Sequence, residues 1–268
     1  DRHVVSYKIS KHNDNKLVID TLNEAIAKEK AGIIKNGIPV VIGETTRETK
    51  EVFAQKAKEC NAPIIFAEEE ALLTAATPME NGYRYSSTVF GEFCGELGGD
   101  YQQKNTNTLL SAINILRGKG FTITEESLRK GFTNVCKLTG LMGRWQKIQD
   151  NPRVICDAGH NIGGIKYITE QLARVDCREL RIVFGMVNDK DVDKVLTMLD
   201  KNAIYYLCKA DIPRGLEVQI LAEKASKAGL MYKVCGSVSQ ALGQAQAEAE
   251  KGDLIFVGGS TFTVAEVV

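Results

Sequence analysis

The chain has 268 residues, and its 44% hydrophobic and 25% charged content is typical of an ordinary globular protein. Its 34 basic and 34 acidic side chains give zero formal charge, which argues against nucleic acid as the main partner because phosphate binding favours a basic surface. No stretch approaches the roughly 20 apolar residues of a transmembrane helix, and the first residues lack the apolar core of a secretory signal. The length of the chain predicts two domains. The lack of a long apolar stretch predicts that the protein has no membrane partner.

The cysteines indicate the kind of cellular compartment in which the protein occurs. There are seven, an odd number, and none forms a C-x-x-C pair. Several stand in apolar runs such as VICD and YYLC, where a free thiol behaves as a small core side chain. Disulfides are rare in reducing compartments, so we expect a cytoplasmic protein.

The first half of the sequence predicts an irregular α/β region. Weak alternation over residues 1–20 is typical of a β-hairpin, and residues 21–31 have a helical pattern. The other expected strands cover 38–43, 62–69 and 83–93, and the other expected helices cover 46–60, 104–117 and 124–135. In the helix over 104–117, the spacing of Leu109, Ile113 and Leu116 predicts one inward face.

From residue 139 the pattern becomes regular, with four β-α repeats followed by a fifth strand. The strands are expected at 153–157, 180–185, 203–208, 231–236 and 254–259, and the helices at 162–175, 190–200, 216–228 and 238–250. Short apolar runs between amphipathic helices indicate an α/β, Rossmann-like domain with a mostly parallel sheet that is buried on both faces. We place the boundary near 138–141, which gives domains over 1–138 and 139–268.

Polar residues follow these predicted strands, where ligands of open parallel sheets bind. Asp157 can accept hydrogen bonds from a ribose or an ammonium group, and His160 can donate to a carboxylate or phosphate. Ser260 can cap a final helix, whose free N–H groups favour an anion. The candidates at the same strand ends also include Gly185, Asn188, Asp189, Gly258 and Gly259.

Spacing alone leaves the function open. An Asp-x-x-His after a strand is more often a turn with a capping residue, and no G-x-G-x-x-G follows the first strand of the second domain to indicate a dinucleotide site. Arg144, beside the only tryptophan, is a candidate phosphate clamp or an ordinary surface arginine. Asn105 could cap its helix, and Lys30 falls at a helix end where the dipole favours a cation.

Six of these residues stand in segments that together resemble a known family. The segments are EKAGIIKNGIPVVIGE, DYQQKNTNTLLSAINIL, GLMGRWQ, CDAGHN and FVGGSTFTVAEVV. In this order and spacing, over residues 21–268, they resemble the folylpolyglutamate synthase / dihydrofolate synthase family of the Mur ligase superfamily. The resemblance implies an ATP-dependent ligase that converts a carboxylate to an acyl phosphate, which the amino group of L-glutamate attacks. The acid would be a folate, dihydropteroate or both.

The resemblance also implies roles for individual residues. Lys30 would be carbamylated and hold Mg²⁺ through carboxylate-like oxygens, which suit a hard cation. Asn105 and Asp157 would contact the base or ribose of ATP, and Arg144 would contact phosphate. The glutamate-facing residues would be His160 and Ser260, with Lys30 and His160 also counted as catalytic. The implied cofactors are ATP and Mg²⁺, in a cytoplasmic and monomeric enzyme.

The sequence departs from the family pattern in four respects. Ile162 stands where the family has a proline after the His-Asn pair, and Met142 replaces the proline before Gly143-Arg144. The phosphate loop, of the type G-T-N-G-K-G-S, does not occur in the sequence, nor do the metal-binding Glu and Asp-His pair expected before the lysine helix.

These departures predict an N-terminally incomplete member of the family. Residues 1–138 would be the later part of a Mur-ligase-type central domain without its phosphate loop, and this chain would be inactive alone. Two alternatives stay open: a non-catalytic binding or scaffold fragment, and a peptidoglycan-precursor Mur ligase.

Overall fold

The computed structural model describes residues 27–188 and 191–268, and these residues form two compact units. Unit 1 contains the described residues up to Ala76 together with Tyr85–Phe93 and Gln103–Leu128, and unit 2 contains Thr77–Arg84, Cys94–Gln102 and Arg129–Val268. Three stretches upstream of the predicted boundary therefore belong to unit 2: Thr77–Arg84, Cys94–Gln102 and the residues from Arg129 up to the boundary. The hairpin predicted for residues 1–20, the start of the helix at 21, and Asp189 lie outside the described residues.

The described chain begins with short helices and strands. They are α1 (residues 27–31), β1 (Val40–Ile42), α2 (Arg47–Glu59), β2 (Ile64–Phe66), α3 (Ala67–Glu70), β3 (Leu73–Pro78), β4 (Tyr83–Ser87) and β5 (Gly91–Gly95). β1 and β2 pair in parallel, and β3, β4 and β5 form a second sheet in that order. The segment 83–93, predicted as one strand, is thus two strands joined by a turn. The strand predicted over 62–69 is only three residues long, because the chain turns into α3 at Ala67.

Three helices follow: α4 (Gln102–Gly118), α5 (Glu125–Thr133) and α6 (Val135–Thr139). The predicted inward face of α4 is wrong at two positions, since Leu109 is 50% and Leu116 39% exposed, whereas Leu110 is fully buried. The buried stripe of α4 also contains Gln102 and Thr106. Apolar periodicity could not mark a stripe that is partly polar.

The carboxyl-terminal part of unit 2 has the predicted parallel sheet. Its strands are β6 (Gln146–Asp150), β7 (Arg153–Cys156), β8 (Leu180–Phe184), β9 (Ile204–Leu207), β10 (Met231–Val234) and β11 (Leu254–Gly258), and its helices are α7 (Ile162–Leu172), α8 (Val192–Met198), α9 (Val218–Lys227), α10 (Val238–Glu248) and α11 (Thr261–Ala265). The spatial order is β10-β9-β8-β11-β7-β6, and all neighbours pair in parallel except β6 with β7. The predicted fold class is confirmed. The antiparallel β6 was missed because its sequence, QKIQD, is mostly polar.

Both faces of this sheet are covered. On β11, Leu254 and Phe256 belong to one apolar cluster, while Ile255 and Val257 belong to another. This alternation follows from the period of two along a strand, which sends successive side chains to opposite faces. A sheet that is buried on both faces needs near-continuous apolar strands, and LIFVG is such a strand.

A buried charge network lies at the amino-terminal end of β8 and β11. Arg181 is 5% exposed and Asp253 3% exposed, and Arg181 Nε donates to Asp253 Oδ2 at 2.9 Å. Arg178 Nε donates to Asp253 Oδ1 at 2.8 Å, and Arg181 Nη1 donates to the Tyr206 hydroxyl at 2.8 Å. Burial acts to raise the pKa of Asp253, but the hydrogen bonds from Arg178, the Glu250 amide and Arg181 together hold that pKa at about 2.

Asp253→Asn is expected to lower the free energy of unfolding at pH 7 by about 3 kcal/mol, because it leaves the Arg181 guanidinium buried beside a neutral amide. The folded-state pKa of Asp253 lies below its ordinary value of 3.8, so this stabilisation is complete above pH 4 and is lost as the pH falls toward 2. Urea unfolding across this range should show the difference between parent and variant shrinking at low pH.

Asp150→Asn is the matched control. The Asp150 carboxylate lies 2.8 Å from Lys147 Nζ, but its side chain is 83% exposed, and exposed pairs of this kind contribute about 0–1 kcal/mol. Equal losses in the two variants would contradict the stabilising role of the buried network.

Candidate functional site

The parallel pairing of β7 with β11 brings two candidate loops side by side. Cys156 is in register with Val257, and the Asp157 amide donates to the Val257 carbonyl at 3.1 Å. The loop after β7 and the loop that leads to Ser260 therefore leave the same edge of the sheet, as predicted. This follows from the rule that parallel strands present their carboxyl ends together.

Asp157 is the most enclosed of the candidates, with 0% of its surface exposed. Its Oδ2 accepts hydrogen bonds from the Tyr101 hydroxyl and the Trp145 amide, both at 2.7 Å, and its Oδ1 accepts from the Gly159 amide at 2.7 Å. Burial raises the pKa of Asp157 above its ordinary value, and these three hydrogen bonds, together with the nearby charge of Arg144, oppose that rise. The carboxylate thus joins three separate segments of unit 2.

Arg144 lies in a tight turn that packs on the Asp157 loop. Gly143 has φ 68° and Trp145 has φ 50°, the left-handed region that residues with a large side chain seldom adopt. The Ala158 amide donates to the Gly143 carbonyl at 2.9 Å, and a Cβ at position 143 would lie 2.6 Å from Val264 Cγ1. Glycine is therefore required at 143 both by its dihedral angle and by this contact.

The Arg144 side chain is half-buried, and none of the ion pairs among the described residues includes it. Its Nη1 lies 3.4 Å from the Gly143 carbonyl oxygen, which is a long hydrogen bond. Its charge is close enough to lower the pKa of Asp157, although the two side chains are not in contact as an ion pair. A guanidinium with this freedom is available to bind an anion.

His160 is half-buried and is oriented by its own loop. Its Nδ1 lies 2.9 Å from the Ala158 carbonyl oxygen, and a carbonyl can only accept, so we assign the hydrogen to Nδ1. In the neutral ring this leaves the lone pair on Nε2. Asn161 then caps α7, since its Oδ1 accepts from the Gly164 amide at 2.8 Å. The helix begins at Ile162 in spite of the missing proline.

Ser260 is the N-cap of α11, as the sequence predicted. Its Oγ accepts from the Thr263 amide at 3.0 Å, and the Thr263 hydroxyl donates to the Gly185 carbonyl at 3.1 Å. The serine is 2% exposed. Its hydroxyl is therefore used within its own helix, and the glutamate contact expected of it stays a prediction.

The two candidates in unit 1 are both exposed side chains. Lys30 lies near the end of α1. Asn105 is the fourth residue of α4, which begins at Gln102, so the capping role considered for Asn105 is wrong. Among residues 27–188 and 191–268, no group of three or more His, Cys, Asp or Glu side chains could hold a metal ion.

Sequence reasoning missed one residue of this site. Tyr101 belongs to the segment Cys94–Gln102 of unit 2 and donates its hydroxyl to Asp157. A single tyrosine between polar residues, 56 positions before its partner, carries no pattern that periodicity could detect. The described residues also include no helix with the length and apolar character needed to span a membrane.

Comparisons with known proteins match the part of the chain that contains this site. The family described as Mur ligase, glutamate ligase domain matches residues 143–261, which contain Arg144, Asp157, His160 and Ser260. The dihydrofolate synthase/folylpolyglutamate synthase of Escherichia coli is 30% identical over 256 residues, which are 91% of this chain and 54% of that protein. The chain thus spans about half the length of this relative.

Solved structures are similar over the same extent. The E. coli FolC structure in complex with DHPP and ADP matches 91% of this chain and 55% of its own, with a TM-score of 0.71 and 28% identity. The bifunctional folylpolyglutamate synthase/dihydrofolate synthase of Yersinia pestis matches 98% of this chain and 58% of its own, with a TM-score of 0.67 and 25% identity. Together these matches show that the chain belongs to the folylpolyglutamate synthase/dihydrofolate synthase family of Mur ligases.

Proposed function

We propose that this chain is the part of an ATP-dependent carboxylate–amine ligase that joins L-glutamate to a folate, to dihydropteroate or to both, through an acyl phosphate. The observation that carries the proposal is the placement of Arg144 and His160 on adjoining loops at the carboxyl edge of the sheet, inside the segment that matches a glutamate ligase domain. The binding of DHPP and ADP by the E. coli relative supports the substrate class.

In this proposal each residue of the site has a binding role that follows from its chemistry. Arg144 binds phosphate, because its guanidinium has no ion pair among the described residues and presents a planar fork of donors. His160 orients the amino-acid substrate with Nε2, since Nδ1 is held by the Ala158 carbonyl. A contact between Asp157 and a nucleotide hydroxyl is proposed from the family resemblance alone, since its carboxylate has no exposed surface.

The Mg²⁺ site in this proposal is inferred only from the resemblance to the folylpolyglutamate synthase family. Mg²⁺ would neutralise the charge on the ATP phosphates, and a carbamate on Lys30 would supply oxygen ligands for it. The described residues fit a metal poorly, because they contain no cluster of three acidic or thiol/imidazole side chains.

The names of the relatives favour one of the alternative functions. The matching proteins are named as folate enzymes, which favours a folate substrate over a peptidoglycan precursor. A non-catalytic binding or scaffold fragment is the remaining alternative. A cytoplasmic, monomeric state is part of the proposal.

The chain alone is expected not to catalyse ligation, because phosphoryl transfer relies on backbone N–H groups and a lysine that cradle the phosphates. Phosphate release and glutamate incorporation should both stay at background when the purified chain is supplied with dihydropteroate or a folate, L-glutamate and Mg-ATP. Folate-dependent turnover that Arg144→Ala removes would contradict this expectation.

Arg144→Lys should weaken the binding of ADP to the chain by about tenfold or more, because an ammonium cannot replace the bidentate contacts of a guanidinium. Isothermal titration of the chain with ADP measures this. Arg84→Lys, a change at an exposed arginine of the same unit, should leave the affinity unchanged. If the parent chain shows no saturable ADP binding, the nucleotide contacts proposed for this part of the enzyme fail. If Arg144→Lys binds as the parent does, only the role of Arg144 fails.

Lys30 should remain uncarbamylated in the isolated chain. The modified lysine would need a metal ion to retain its carbamate, and among the described residues no cluster of His, Cys, Asp or Glu side chains could hold one. In ¹³C-bicarbonate with Mg²⁺, the parent and Lys30→Ala should give the same ¹³C NMR spectrum. A carbamate signal that Lys30→Ala removes, but Lys35→Ala keeps, would show that the chain itself holds the modified lysine.

A further inference from the structure

We propose that Tyr101 is a positioning residue of this site: its hydroxyl, acting through the Asp157 carboxylate, holds the left-handed turn at Trp145 from which Arg144 projects. The part of this inference that concerns the turn depends only on geometry within unit 2. The part that concerns nucleotide binding rests on the proposed function.

Two hydrogen-bond donors share one oxygen of the Asp157 carboxylate. Asp157 Oδ2 accepts from the Tyr101 hydroxyl and from the Trp145 amide, each at 2.7 Å. Both donors therefore constrain the same atom, and the tyrosine fixes where that atom lies when the amide meets it. Because the carboxylate is fully buried, no solvent molecule replaces the tyrosine without rearrangement of the site.

The Asp157 carboxylate also maintains the backbone conformation of Trp145. Trp145 has φ 50°, which is uncommon for a bulky residue and persists where surrounding contacts enforce it. The amide of Trp145 is held by Asp157, and its indole ring packs on Phe256 with centroids 5.9 Å apart. Arg144 immediately precedes this residue, so the direction of its side chain depends on the turn.

The segment that carries Tyr101 is itself held in place through its neighbour Asp100. The Asp100 amide donates to Gln171 Oε1 at 2.9 Å, and the Asp100 carboxylate accepts from Arg174 and from the Tyr83 hydroxyl. Both Gln171 and Arg174 lie in or just after α7. The segment that carries Tyr101 is thus attached to the helix that follows the Asp157 loop.

Two glycines allow this segment to lie against the turn. A Cβ at position 98 would lie 2.9 Å from the Trp145 carbonyl oxygen and 3.0 Å from its Cδ1. Gly99 has φ 90°, and a Cβ there would lie 2.7 Å from the ring of Tyr101. The chain approaches both aromatic residues closely, as a segment that positions them must.

A space-filling role for Tyr101 is the competing explanation. Its ring meets that of Tyr167 edge-on, with centroids 6.3 Å apart, and phenylalanine would keep this contact. Tyr101→Phe therefore separates the two roles, because it removes the hydroxyl and keeps the ring.

The test uses the only tryptophan of the chain as its reporter. In ligand-free chain, Tyr101→Phe should shift the emission of Trp145 and increase its quenching by acrylamide, while far-UV circular dichroism stays as in the parent. The affinity for ADP should fall by about three- to tenfold. Asp157→Asn, whose amide cannot accept from all three donors, should change the emission in the same direction and serves if Tyr101→Phe does not fold.

Tyr205→Phe is the matched control. It also removes a buried hydroxyl, one that donates to the Asp200 carbonyl at 2.7 Å and does not contact Asp157. It should leave the emission, the quenching and the ADP affinity unchanged.

Each result decides a separate claim. Parent-like quenching in Tyr101→Phe, or equal changes in Tyr205→Phe, would overturn the inference. Altered quenching with unchanged ADP affinity would overturn the positioning of Arg144. A parent chain that binds no ADP refutes the nucleotide contacts of the proposed function, whereas the ligand-free quenching still decides whether Tyr101 holds the turn.

Discussion

The hydrogen bonding of one buried carboxylate determines the shape of the candidate site. A carboxylate removed from water is strongly disfavoured unless donors replace the lost hydration. Asp157 meets this requirement with two amides and a hydroxyl. Since the two amides belong to the Gly143–Gln146 turn and to its own loop, satisfying the charge also sets the path of both. The geometry of Arg144 and His160 then follows from a single electrostatic requirement.

At the opposite end of the same sheet, a second buried carboxylate is stabilised by a different set of donors. There Asp253 is satisfied by two arginines and an amide, so its charge is matched by cations. Asp157 has no ion pair, and Arg144 lowers its pKa without contact. One end of the sheet is therefore neutralised internally, whereas the other keeps a cation free to meet an external anion.

Much of this arrangement could be predicted from the sequence, for physical reasons. Strands such as LIFVG are apolar throughout because both of their faces are covered, and that pattern is visible without coordinates. The Asp157, His160 and Ser260 loops could be placed at one edge because parallel strands share their direction. The stripe of α4 could not be predicted, since Gln102 and Thr106 are buried there, and neither could the hydrogen bond that joins Tyr101 to Asp157 across 56 residues.

The two units alternate along the chain, and this has a consequence for folding. Unit 2 takes Thr77–Arg84 and Cys94–Gln102 from upstream and its remainder from residue 129 onward. Its native contacts therefore have a large sequence separation, and closing such loops before the contacts form slows folding. A recombinant piece that begins at residue 139 would have the whole parallel sheet and the turn at Trp145. It would still lack Tyr101, and the buried carboxylate of Asp157 would be one donor short.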